Sequence, residues 1–392
     1  MPFGSEGLQV GTGLALSGGG FRATLFHCGS LWRLNQLGVL GSLDRISSVS
    51  GGSITAGVLA FAWQKLGAAA WSEDAFVKEL VTPLRSFCTR NVDIPAVLKG
   101  ALVPGKTIAD FVADEYADGL FGDATLQHLP DTVRFVLNST NLATGVDFRF
   151  SKPYAGDYRI GLIRNPRFRL ATAVAASSAF PPFLSPVELD VDPGLFEKVE
   201  GADLHDDIDF RKRLKLTDGG VYDNLGLETV GKRYRTLLVS DAGAPFDYGG
   251  VQGSDWPRQA LRVIAILTHQ AWSLRLRELI GSYRTKAREG AYWGIGTSIA
   301  SFQTPGALAV APEVARQLAN VRTRLNRFSD AEQCTLINWG YAICDASVRR
   351  HPSFARAPAP AWPYPEYALD RGLSGSVRIE SGVRSPGPPD AA

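Results

Sequence analysis

Three short stretches hold the residues that can do chemistry. In Ser48-Val49-Ser50-Gly51-Gly52 a serine is framed by small residues. This fits the nucleophile elbow G-x-S-x-G except at its first position, where Ser48 is the next smallest polar choice. A serine at such an elbow sits on a tight strand-to-helix turn with its hydroxyl turned outward. The helix dipole beside it favours developing negative charge. The second stretch is Gly18-Gly19-Gly20. Its backbone N–H groups, at the start of the preceding helix, can form an oxyanion hole for a tetrahedral intermediate. The third is Leu214-Lys215-Leu216-Thr217-Asp218-Gly219-Gly220, a short strand ending in an acid beside two glycines. Asp218 can project from there into a site, although Asp-Gly is also a common turn former. Asp241, ending the strand Thr236–Ser240, is a competing strand-end acid.

The elements needed to position these residues are legible around them. Leu14-Ala15-Leu16 suits a buried strand, and Phe21 to Leu37 has apolar residues at helical spacing with Gly38 placed to end it. Ile46 to Val49 reads as a second strand, and Ile54 to about Leu66 as a second helix. Strand, glycine turn, helix, strand, serine turn, helix implies a parallel βαβ unit. Both turns then lie at the same C-terminal sheet edge, where they can meet. Gly18-x-Gly20-x-x-Ala23 also matches a loose dinucleotide pattern, but the second strand ends in Ser50 rather than an acid.

Further along, Ser72 before Glu73 and Asp74, Thr107-x-x-Asp110 and Ser329-x-x-Glu332 mark helix starts. Thr132–Leu137 and Val146–Phe150 read as strands around a polar turn. Ala176-Ser177-Ser178-Ala179-Phe180-Pro181 is small enough for close backbone approach before prolines stop it. Residues 191–215 form a charged, turn-rich excursion. Its cluster Asp203-Leu204-His205-Asp206-Asp207 lacks a calcium-loop pattern, so no metal is expected. Trp256 to Arg288 is helical in pattern and basic, which suits a solvated face or an anionic lipid surface. From Ala357 the chain is Pro-rich, and its end is expected to be disordered.

With 392 residues, 45% of them hydrophobic, the chain can bury a sizeable core. A net charge of +2 argues against a nucleic-acid partner. Four widely spaced cysteines without C-x-x-C suit free thiols rather than a disulfide frame or zinc site. The first twelve residues have no secretory pattern and no apolar run reaches spanning length, so a cytoplasmic location is expected.

Taken together, Gly18-Gly19-Gly20-Phe21-Arg22, the Ser50 elbow, Ala176 to Pro181 and Asp218-Gly219-Gly220 resemble the patatin-like phospholipases. That family has a G-G-G-x-R oxyanion turn, a G-x-S-x-G elbow, an A-S-x-A-x-P segment and a D-G-G/A motif. The resemblance spans roughly residues 13–245. It implies an α/β fold, a three-layer α/β/α sandwich with a mainly parallel central sheet, carrying a helical C-terminal region. The expected divisions are an N-terminal extension at 1–12, a catalytic domain at 13–245, a helical region packed on it at 246–355 and the Pro-rich tail at 356–392.

The resemblance further implies a serine lipid acyl hydrolase with a Ser-Asp dyad. Ser50 is then the nucleophile and Asp218 its general base. Gly18, Gly19 and Gly20 supply the oxyanion hole. Arg22 orders the glycine turn or pairs with a head group, and Gly51, Gly52, Gly219 and Gly220 shape the site. The implied substrate is a phospholipid or other acyl lipid met through transient peripheral membrane contact, and no cofactor or metal is required. Two other readings stay open. One is a Ser-Asp-His esterase built from Ser50, Asp218 or Asp241, and His269 or His27. The other is a catalytically silent lipid- or partner-binding module on the same fold.

Overall fold

A computed structural model describes residues 7–93, 107–182, 184–246, 255–351 and 357–373. Residues 1–6 of the N-terminal extension and most of the Pro-rich tail therefore lie outside the described residues. The strands are β1 (Gln9–Leu16), β2 (Arg45–Val49), β3 (Arg134–Asn141), β4 (Val146–Phe150), β5 (Tyr154–Asp157), β6 (Gly161–Arg164), β7 (Val187–Asp190), β8 (Phe196–Glu197), β9 (Arg213–Asp218), β10 (Tyr234–Asp241) and β11 (Glu289–Gly294). The helices used below are α1 (Gly20–Gln36), α2 (Gly51–Ala68), α3 (Ile108–Tyr116), α4 (Leu170–Ser177), α5 (Trp256–Arg284), α6 (Pro312–Ala319) and α7 (Asp330–Val348). The expected starts of α3 and α7 are capping boxes, Thr107 with Asp110 and Ser329 with Glu332.

One sheet runs in the order β11-β10-β1-β2-β3-β4-β5-β6-β8. Its first five strands are parallel, and from β3 outward the pairings are antiparallel. Alternation along β1 shows the two faces. Leu14 and Leu16 enter the larger apolar core, whereas Ala15 enters a smaller one with Leu225, Val230, Leu237 and Val239. Helices cover both faces, so the architecture is the expected three-layer α/β/α sandwich. A strand buried on both faces needs the near-continuous apolar or small sequence that β1 and β2 show.

Helix α1 has sixteen of its seventeen residues buried, between the sheet and α7. Glycines let those two helices touch. A Cβ on Gly29 would strike the Ile337 carbonyl oxygen, and one on Gly340 would strike that of Phe26. The buried pair Arg33–Asp345, 2.7 Å apart, crosses the same contact. Residues 246–355 also contribute β11, which lies parallel beside β10. The sequence pattern indicated only helices there, because Glu289–Gly294 is short and interrupted by glycines.

The topology around β3 positions the chemistry. Val49, the last residue of β2, lies opposite Asn138, and Asp218, the last residue of β9, lies opposite Ser139. The other edge of β3 is taken by β4 over the same stretch. Strands β2 and β9 thus meet tip to tip along one edge of β3, and the chain turns out of the sheet at both tips.

Candidate active site

Ser50 connects β2 to α2 with φ 53° and ψ −121°. A non-glycine residue held in such a sparsely populated region costs of order 1–3 kcal/mol and persists only when its surroundings enforce it. Here the Ser50 N–H donates to Ser177 Oγ at 3.0 Å, and the Ser50 carbonyl accepts from the Ser53 amide at 2.8 Å. Ser48, at the position where the elbow pattern has glycine, is fully buried and hydrogen-bonds Ser53 Oγ at 2.9 Å. The hydroxyl therefore has a partner inside the turn.

The glycine turn lies directly against this elbow. A Cβ on Gly51 would overlap the Gly20 carbonyl oxygen, and one on Gly52 would lie 2.5 Å from the Leu16 carbonyl oxygen. Gly20 has φ +57° and faces the Thr323 carbonyl, so only glycine fits there. Of the three amides expected to face an oxyanion, that of Gly18 is engaged, donating to the Asn224 carbonyl at 3.0 Å. The amides of Gly19 and Gly20 have no hydrogen-bond partner among the described residues. They stand at the N-terminus of α1, where the dipole adds to their pull on negative charge.

Asp218 is nearly fully buried, with the Ser50 side chain beside it. Its Oδ1 also accepts from the Gly220 amide at 2.7 Å. Burial pushes its carboxyl up from 3.8 to about 6, while the Gly220 amide and the Ser50 side chain pull the other way. Gly219 lets the turn pass close to β3, since a Cβ there would strike the Asn138 carbonyl.

The segment Ala176–Ala179 braces both turns. Ser177 Oγ accepts the Ser50 amide and donates to the Asn138 carbonyl at 2.6 Å. The Ser177 carbonyl accepts the Gly219 amide at 3.2 Å, and the Ala179 carbonyl accepts the Asp218 amide at 2.9 Å. Motif reading singled out this segment for its small residues but gave it no role. The positioning of Ser50 and Asp218 by Ser177, and the capture of Gly18 by Asn224, depend on contacts between distant segments that leave no local pattern.

Arg22 is buried, and its guanidinium donates to the carbonyls of Ala319 at 2.6 Å, Val321 at 2.8 Å and Ala242 at 2.7 Å. Burial pushes it down to about 10, with Asp241 opposing, so it stays cationic at neutral pH. Of its two expected roles, these contacts match ordering of the turn. Among the described residues neither His269 nor His27 hydrogen-bonds Ser50 or Asp218. The His269 ring stacks on Trp272 and lies against Phe246. His27 bonds Ser240 Oγ and the Ser17 carbonyl, and burial pushes it down to about 4. No group of side chains among the described residues could hold a metal ion, and no described helix is long and apolar enough to cross a membrane.

Fold and site together define an α/β protein with a strained serine at a strand-to-helix turn, facing a buried acid and a glycine turn. The sequence matches the family described as patatin-like phospholipase over residues 14–230, and the chain belongs to that family. No curated protein matches it. Among solved structures it is similar to human GIVD cytosolic phospholipase A2 in complex with methyl gamma-linolenyl fluorophosphonate. That match has 16% identity and a TM-score of 0.49, and it covers 86% of this chain and 57% of that one. A second structure of the human enzyme matches at 15% identity and a TM-score of 0.36, over 62% of this chain and 47% of that one. VipD from Legionella pneumophila matches at 13% identity and a TM-score of 0.38, over 89% of this chain and 67% of that one. The chain spans about half the length of the human phospholipase chains it matches.

Proposed function

We propose that this chain is a serine lipid acyl hydrolase, of phospholipase A or lysophospholipase type, that cleaves carboxylic esters through Ser50 and Asp218. One observation carries the reading: a strained elbow serine at the tip of β2 stands beside a buried carboxyl at the tip of β9, and burial raises that carboxyl's proton affinity. A carboxylate in water is a weak base for a hydroxyl, and burial is what makes Asp218 a better one.

In this reading Ser50 Oγ attacks the ester carbonyl carbon while its proton passes to Asp218. The amides of Gly19 and Gly20 hold the oxyanion, and one such donor contributes about 10²–10³ in turnover. Collapse of the tetrahedral intermediate breaks the bond to the alcohol oxygen, which takes the proton from Asp218. Water, deprotonated by Asp218, then attacks acyl-Ser50; collapse breaks the bond to Ser50 Oγ, which takes the proton back from Asp218 as the free acid leaves. Gly51, Gly52, Gly219 and Gly220 let the turns close to this distance, and Arg22 fixes the glycine turn. The cycle uses neither cofactor nor metal. The enzyme works in the cytoplasm and meets acyl lipids transiently at a membrane surface; four buried free cysteines support a reducing compartment.

The test is ester hydrolysis by the purified protein on a chromogenic acyl ester and on phospholipid vesicles, with excess chelator. Wild type and His269→Ala are expected to cleave, and Ser50→Ala and Asp218→Asn to be inactive while folded. Loss of activity in folded His269→Ala replaces the dyad with a Ser-Asp-His triad. A wild type silent on every ester leaves a binding module.

A further inference from the structure

Helix α5 is the opposite of α1. Only Leu279 of its twenty-nine residues is buried. Among the described residues, seven of the sixteen exposed large apolar side chains lie on this one helix. Trp256, Val263, Leu267 and Leu274 fall at i, i+7, i+11 and i+18, which is a single stripe along an α-helix. Trp256 is 80% and Leu267 63% exposed. A different stripe, Trp272, Leu276, Leu279 and Tyr283, packs against the sheet's smaller core. Nine residues at about 100° each put Leu276 on the side opposite Leu267. The helix thus has two apolar faces, and only one is used for folding. Toward its N-terminus Leu261 and Ile266 are exposed as well, so that half stands away from the body.

The charge on α5 indicates what would cover the second face. It carries Arg258, Arg262, Arg275, Arg277 and Arg284 against one acid, Glu278. Arg275 serves the fold by bonding Glu228 and reaching Asp223. Among the described residues Arg258 pairs with the exposed helix-capping Asp255 and Arg262 lies over the Phe246 ring, both on the side turned away from the outer stripe. Two such helices from two copies would bring like charges together, whereas an anionic bilayer complements them. At about 100° per residue Arg277 and Arg284 border this stripe, and an apolar stripe bordered by arginines and ending in tryptophan is the pattern of a helix lying in a membrane interface.

The helix also adjoins the site. Arg275 lies over the Tyr222 ring and pairs with Asp223, both in the turn that follows Asp218-Gly219-Gly220. Phe180 and Val221, in the segments flanking Asp218, are themselves exposed. We infer that α5 is a docking arm that lays its outer stripe into an anionic lipid surface and so brings the Ser50 site to its substrate. The inference rests on the lipid hydrolase reading for its purpose, and its test is separate.

The test is flotation of the full chain with phosphatidylglycerol/phosphatidylcholine vesicles and with phosphatidylcholine vesicles. Hydrolysis of a water-soluble short-chain ester is measured in parallel. Wild type should float with the anionic vesicles at low salt and lose binding as salt rises. Val263→Glu/Leu267→Glu, at exposed positions outside the catalytic machinery, should reduce flotation at least about tenfold and leave soluble-ester turnover unchanged. Wild type that fails to float, or a double variant that floats equally well, overturns the docking arm whatever the ester activity. Flotation by a protein without ester activity upholds the arm and removes the hydrolase reading. Sedimentation velocity showing a wild-type dimer that the double variant dissociates assigns the stripe to a second copy and overturns the lipid proposal.

Discussion

Two aspartates end neighbouring parts of the sheet in almost the same way. Asp218 ends β9 and Asp241 ends β10. Both are buried, and each caps its own turn by accepting the amide two residues on, Gly220 at 2.7 Å and Gly243 at 2.9 Å. They differ in their remaining partners. Asp241 is filled by two rigid donors, Trp272 Nε1 at 2.8 Å and Tyr292 OH at 2.9 Å. Asp218 has the Ser50 hydroxyl instead. A carboxylate surrounded by fixed donors is a structural anchor. One that faces a hydroxyl on a strained turn is available for proton transfer.

The largest effects should separate the two acids by activity. Ser50→Ala should lower turnover by a factor on the order of 10⁵ or more, judging from serine nucleophiles elsewhere. Asp218→Asn should lower it about 10²–10⁴-fold, the usual share of a general base. Asp241→Asn should stay within a few-fold of wild type in ester hydrolysis. A folded Asp241→Asn as inactive as Asp218→Asn would reverse the assignment.

Stability should divide them with opposite signs. Asp218 takes up its proton near pH 6 in the folded chain, above the 3.8 of an ordinary carboxyl. Its contribution to stability is therefore fully present below pH 3.8 and lost as pH rises through about 6. Replacing it with neutral asparagine should raise Tm at pH 8, by an amount corresponding to roughly 2–3 kcal/mol, and change little at pH 4. Asp241→Asn leaves a buried donor facing Trp272 and Tyr292 and should cost about 1–3 kcal/mol at both pH values. Thermal denaturation at the two pH values reads both. The same shift predicts that kcat/KM is lost as pH falls through about 6, because the base must be ionised; a profile flat from pH 5 to 8 would count against Asp218.

A smaller effect is expected from Ser177→Ala. It removes the acceptor of the Ser50 amide and the donor to Asn138, so the elbow loosens without losing a reacting group. Turnover should drop about tenfold, or about 1.4 kcal/mol in the barrier, with the pH midpoint in place. An unchanged kcat would show that Gly51 and Gly52 hold the elbow without this brace.

The βαβ unit at residues 13–66 was legible because each of its turns interrupts an apolar rhythm with residues that have few other uses. Ser50, the glycine turn and Asp218 followed from that and from motif order. Without the motif order, the residues alone did not tell which strand-end acid faces Ser50. Asp218 and Asp241 look alike locally, and the distinction comes from β9 running antiparallel into the tip of β2. The engagement of the Gly18 amide by Asn224 was hidden for the same reason. Strand β11 escaped notice because Glu289–Gly294 is too short to show an alternation of its own. Arg22 could be picked out, but its partners Ala319 and Val321 could not, since backbone carbonyls carry no side-chain signature.

The reciprocal glycine contact between α1 and α7 sets a mechanical tolerance for the whole site. Gly29 and Gly340, about three hundred residues apart in sequence, fix how deeply α1 is seated. That helix is a rigid rod, and its other end, nine residues from Gly29, is Gly20 with the free amides of the oxyanion turn. At about 1.5 Å per residue the lever is only about 14 Å long. One methyl group added at the crossing should therefore displace the amides of Gly19 and Gly20 relative to Ser50. The seating of the glycine turn is thus set at a joint remote from Ser50, and each of the two glycines is held by its own backbone carbonyl neighbour.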